Sequence, residues 1–91
     1  MKSNIPSGTQ LERVSVVTTA ADELLLYEAA MQLGVLTYAR TSCEGGGDEP
    51  ELVRVEMLVG PAEAEPLLAY VRRQRDAARV TTFTAQSQQV P

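Results

Sequence analysis

From Leu11 to Thr19 the chain alternates, LERVSVVTT, with Val14 and Val16 on one side and Arg13, Ser15 and Val17 on the other. A period of two is that of a half-buried strand. Thr19, three residues before Asp22, has the spacing of a helix-capping box, and ADELLLYEAAMQL then repeats at helical spacing. Leu25, Leu26, Ala29, Ala30 and Leu33 share one side of that helix, and Gly34 suits a left-handed C-terminal cap. Leu24, Tyr27 and Met31 form a second apolar stripe, assigned to subunit contact.

VLTYARTSC is rich in β-branched and aromatic residues and reads as a second strand. LVRVEMLVG alternates again, with Val53, Val55, Met57 and Val59 on one face and Leu52, Arg54, Glu56 and Leu58 on the other. Gly60-Pro61 breaks it, and a second helix from about Ala62 to Arg75 carries Ala64, Leu67, Leu68 and Val71 as its apolar stripe. Pro66 fits such a helix only in its first turn or if the helix begins later. RVTTFTA reads as a fourth strand and QSQQVP as a polar end, while residues 1–10 read as a flexible arm preceding a single domain over 11–91.

The order β-α-β-β-α-β packs most simply as an α+β, ferredoxin-like domain: a four-stranded antiparallel sheet with both helices on one face. The helices are expected to cover Val14, Val16, Val53, Val55, Met57 and Val59. The other face then shows Val17, Leu52, Leu58 and Phe83 among Arg13, Arg54 and Glu56. A half-apolar open face on so small a domain points to self-association, with a salt bridge from Glu56 in its centre.

Composition narrows the chemistry. The 91 residues carry 8 Lys and Arg against 12 Asp and Glu, a net charge of −4, so a general grip on nucleic-acid phosphate is not expected. There is no His and a single Cys, which removes the histidine-dependent nucleophile pairs and the usual zinc sets. An enzyme would need an acid marked out by its neighbours, and none is. Metal binding or reactivity at Cys43 is not expected. No apolar run approaches a membrane span and the amino end lacks a hydrophobic signal core, so a cytoplasmic protein without membrane insertion is expected.

Three features could carry binding. Gly45-Gly46-Gly47 could form an anion-holding nest of backbone amides, or serve only as a flexible hairpin. Glu44, Asp48, Glu49 and Glu51 flank it and repel anions, so it is read as a mobile sensor loop and not as the main phosphate cradle. Arg72, Arg73 and Arg75, with Arg79 beyond, cluster at the end of the second helix. Arginine forks suit phosphate or carboxylate, although the same residues also complement the helix dipole. Arg73 and Arg75 lie two positions apart and diverge on a helix. Arg40, Thr41 and Ser42 set a cation beside two hydroxyls, a combination that suits a small oxyanion or a solvated strand edge.

The run from Leu11 to Gly47, a strand ending in Thr, a Gly-capped helix and a strand with a Leu-Thr-Tyr step leading into a Gly-bearing loop, resembles the opening of PII-type signal-transduction proteins. VRVEMLVGPAEAEPLLAYV is similar to the third strand and second helix of PII-like regulators associated with bicarbonate transporters and carboxysomes. The resemblance spans about Leu11 to Ala85. It implies a cytoplasmic, carboxysome-associated homotrimer that is not an enzyme and carries no covalent cofactor. Adenine nucleotide would bind in intersubunit clefts and bicarbonate near the base of a T-loop at residues 43–51, which would signal to a transporter or carboxysome-related protein. The implied nucleotide-binding residues are Thr41, Ser42, Gly45, Gly47, Arg72, Arg73, Arg75 and Arg79; the implied bicarbonate residues are Arg40, Thr41 and Ser42. The loop is shorter than in true PII proteins, the Gly-rich B-loop is replaced by RRQRDAAR, and Asp48 and Glu49 stand where transporter-linked relatives have basic residues. ADP or AMP is therefore expected in preference to ATP. The alternative is a ferredoxin-like oligomerisation or scaffold module that binds no nucleotide.

Overall fold

The computed structural model describes residues 8–43 and 51–89. The elements are β1 (Gln10–Thr19), α1 (Ala20–Leu33), β2 (Thr37–Cys43), β3 (Leu52–Val59), α2 (Pro61–Asp76) and β4 (Val80–Gln89). All strand pairs are antiparallel, in the order β2-β3-β1-β4. Both helices pack on one face of the sheet and enclose Val14, Val16, Val55, Met57 and Val59 with Leu26, Ala30, Leu67, Leu68 and Val71. The inward sets expected for β1 and β3 are all buried.

Local chemistry sets the helix ends. Thr19 is extended and its Oγ1 accepts the Asp22 amide at 3.1 Å. Gly34 is left-handed, and its amide and that of Val35 turn back to the Ala30 carbonyl. Those amides are thereby lost to the ladder, so β2 begins at Thr37, two residues later than its β-branched start suggests. Leu25 stays 45% exposed. It lies on the flank of α1, where the face that meets the sheet is narrower than the five-residue stripe drawn from spacing.

The second helix departs from expectation at its start. It begins at Pro61 with Gly60 as its N-cap, so Pro66 lies in the second turn, neither in the first turn nor ahead of the helix. Proline removes the amide that would reach the Ala62 carbonyl. Both residues are exposed, and water can satisfy the freed oxygen. At the other end the Ala78 and Arg79 amides bond to the Arg75 and Gln74 carbonyls, a Schellman turn with Ala78 at φ 63° in the position usually held by glycine.

The fourth strand corrects two expectations. It runs on through Gln89, because Gln86, Ser87, Gln88 and Gln89 pair with β1 from Arg13 back to Gln10. Gln10 is thus a strand residue; residues 1–7 of the expected arm lie outside the described residues. Phe83 lies on the helix face, not the open one. The register shifts near Val17 and Thr18, where Thr18 pairs with Val80 and Val17 with Thr82, so Thr81 is the extra residue of a bulge. That insertion reverses the alternation, and Val80 and Phe83, three apart, both face the core. The open face keeps half-buried Val17, Leu52 and Leu58, with Arg13 and Glu56 paired at 3.5 Å.

Candidate anion and nucleotide site

Strand direction gathers the candidate residues at one end of the sheet. β1 ends there at Thr19, β2 ends at Cys43, β3 begins at Leu52 and α2 delivers the chain into β4. The end of β2 carries Arg40, Thr41 and Ser42. Pairing sorts them: Arg40 opposes Val55 and Ser42 opposes Val53, both buried under the helices, whereas Thr41 opposes exposed Arg54. Arg40 and Ser42 therefore share the helix face and Thr41 lies on the other. The trio does not converge, as its period of two dictates.

Two acids that spacing did not single out surround Arg40. Its Nε lies 2.9 Å from Glu23 Oε1, in the first turn of α1, and an Nη lies 4.0 Å from Glu51 Oε2. Ser42 Oγ lies 3.4 Å from the same Glu51 oxygen. Glu23 also accepts the Tyr38 hydroxyl, and Tyr38 packs edge-on against Tyr27 at 5.1 Å. Burial, then the bond to Glu23, pushes the Tyr38 hydroxyl pKa well above its ordinary range. No sequence signal identifies Glu23 as a partner, because the contact spans 17 residues and depends on where α1 packs on the sheet. Glu51 was visible in the sequence only as part of an acidic loop.

The arginines of α2 separate around the helix. Arg72 faces outward to Glu65 at 3.9 Å. Arg73 lines an open groove of about 360 Å³ between α1 and α2, with Ala29, Leu33, Pro66 and Tyr70. Arg75 lies over the Phe83 ring, 5.2 Å from its centre, and 3.7 Å from Asp76. Arg79 bonds Gln74 through its side chain at 3.2 Å, and its carbonyl receives the Thr18 hydroxyl. Of the four, Arg75 alone contacts a β4 side chain, and Arg79 is the residue that leads into β4. Gly45 and Gly47 lie outside the described residues, as does most of the 43–51 loop. Among the described residues no cluster of His, Cys, Asp and Glu could hold a metal ion, and no helix is long and apolar enough to cross a membrane.

Comparison with solved structures gives the architecture its parallel. CPII from Thiomonas intermedia K12, a nitrogen regulatory PII-like protein, superposes with a TM-score of 0.76 at 15% identity, over 94% of this chain and 93% of that one, in a structure bound to ADP, AMP and acetate. The fold is the ferredoxin-like fold of PII proteins. Another CPII structure is bound to ADP, AMP and bicarbonate. A putative PII-like signaling protein from Thermus thermophilus matches with a TM-score of 0.69 at 24% identity, over 93% and 90% of the two chains. The C-terminal domain of MgtC from Mycobacterium tuberculosis also matches, with a TM-score of 0.60 at 17% identity over 93% and 94%. Fold alone does not dictate function. The scan against protein families and the search of curated proteins return no match.

Proposed function

We propose that this chain is a PII-like regulatory protein, not an enzyme, which binds ADP or AMP between the subunits of a homotrimer and takes bicarbonate as a second ligand. Occupancy is signalled through the loop at residues 43–51 to a protein partner of inorganic-carbon metabolism, a transporter or a carboxysome-related protein, in the cytoplasm.

One observation carries this reading. The hydroxyl and cation at the end of β2 and the cations entering β4 lie at the same end of the sheet but on opposite edges. Three strand spacings, about 14 Å, separate those edges. One chain alone holds half a site on each edge. In a closed ring each copy meets its neighbour through unlike edges, so the β2 edge of one copy meets the β4 edge of the next and the halves combine. Arg75 and Arg79 then supply charge to the nucleotide phosphates, while Arg40 and Ser42 serve the smaller oxyanion. A CPII structure bound to ADP, AMP and bicarbonate supports pairing these two classes of ligand. Signalling requires that the ligand bind one state of the assembly more tightly than another.

Titration calorimetry with ADP and AMP, with and without bicarbonate, alongside molar mass by light scattering, tests the proposal. Saturable binding to a trimer is expected, with Arg75→Ala and Arg79→Ala each weakening it by about tenfold or more, the scale of a lost charged hydrogen bond. Arg72→Ala is expected to leave it unchanged. Flat titrations on a well-formed trimer would overturn the nucleotide reading in favour of a scaffold module.

A further inference from the structure

We infer that Glu51 is an internal competitor for the oxyanion: its carboxylate occupies the Arg40–Ser42 pair in the empty protein and is exchanged for a small monoanionic oxyanion on binding. The inference rests on the oxyanion reading above. A single oxygen of Glu51, Oε2, lies 4.0 Å from the Arg40 guanidinium and 3.4 Å from the Ser42 hydroxyl. A cation and a hydroxyl converging on one carboxylate oxygen are the contacts that a free carboxylate or bicarbonate would make there, since each of these anions presents at least two unprotonated oxygens on a planar carbon.

The two acids at Arg40 are not equivalent. Glu23 is 14% exposed, lies 2.9 Å from Arg40 Nε and also accepts the Tyr38 hydroxyl, so it fixes the guanidinium in place. Glu51 is 57% exposed and its contacts are long. Its backbone is anchored separately, because its carbonyl accepts the Ala20 amide at 3.0 Å at the start of α1. The side chain can therefore rotate away without any change in the path of the backbone.

Charge sets the class of ligand. Arg40 with Glu23 and Glu51 sums to −1; with Glu51 turned to solvent the remaining pair is neutral, and a monoanion restores the original sum. A multiply charged phosphate would leave an excess of negative charge beside Glu23, which disfavours it. The site thus selects bicarbonate, acetate or formate over phosphate, and Glu51 sets the concentration at which they enter.

The test is calorimetric titration of sodium bicarbonate, then sodium acetate, into ADP-loaded protein at constant ionic strength, comparing the natural chain with Glu51→Gln, Glu51→Ala and Arg40→Ala. Circular dichroism confirms that each variant is folded. Removing the competitor is expected to tighten binding about two- to fivefold, the range for an exposed ion pair, and Arg40→Ala is expected to abolish it. If the natural chain binds bicarbonate and the Glu51 variants bind it equally or more weakly, Glu51 is not a competitor, and the proposed function stands. If neither the natural chain nor any Glu51 variant binds bicarbonate while ADP still binds, the oxyanion reading and this inference fall together.

Discussion

The hydroxyl of Thr18, on the buried face of β1, donates to the carbonyl of Arg79 at 2.5 Å, tying the central strand to the turn that carries a candidate phosphate-binding arginine. Thr18 is 1% exposed and is the buried polar residue within an otherwise aliphatic inward set. Its bond also satisfies the carbonyl just before the β4 bulge.

Thr18→Val keeps the shape and removes the donor. The expected cost is about 1 kcal/mol of stability by chemical denaturation, the net worth of a typical internal hydrogen bond. The same variant is expected to weaken ADP binding although Thr18 touches no ligand, because Arg79 loses its anchor. Unchanged affinity would detach the turn from the nucleotide site.

Ala78 occupies a left-handed conformation that costs an L-residue about 1–2 kcal/mol. Ala78→Gly removes that strain but adds freedom to the unfolded chain, worth about 0.4–1 kcal/mol in the other direction. A net gain of about 0.5–1 kcal/mol is expected. A higher denaturation midpoint with an unchanged slope would bear this out; a lower midpoint would contradict the strain at this turn.

Tyr38 links the fold to alkaline pH. Its folded pKa is raised by burial and by the Glu23 bond, so above the ordinary tyrosine range near 10 the unfolded chain releases the proton while the folded chain retains it. Losing that proton favours the unfolded state, so stability is level below this range and falls as pH rises through it. Tyr38→Phe is expected to flatten this fall in denaturation curves taken between pH 9 and about 11. An equally steep fall in the variant would assign it to other groups, Tyr70 among them, whose hydroxyl is also shifted upward by burial.

What was legible in the sequence was whatever is local. Alternation marked the buried sets of β1 and β3, helical spacing marked Leu26, Ala30, Leu67, Leu68 and Val71, and capping chemistry marked Thr19 and Gly34, since each depends on residues within a turn or a strand of one another. The same period of two separates Thr41 from Arg40 and Ser42, so that division is present in the sequence although the three are adjacent along the chain.

Only the tertiary structure decided the rest. Phe83 reached the core through a bulge, and a bulge exists only where two strands pair out of step. QSQQ became strand because β1 offers it unpaired backbone groups that no local propensity reveals. The arginines of α2 were divided by the positions of α1 and β4 around that helix, and Arg40 found Glu23 because α1 packs on the sheet within side-chain reach of β2. Polar groups 17 or 61 residues apart meet through packing, and packing is a property of the whole chain.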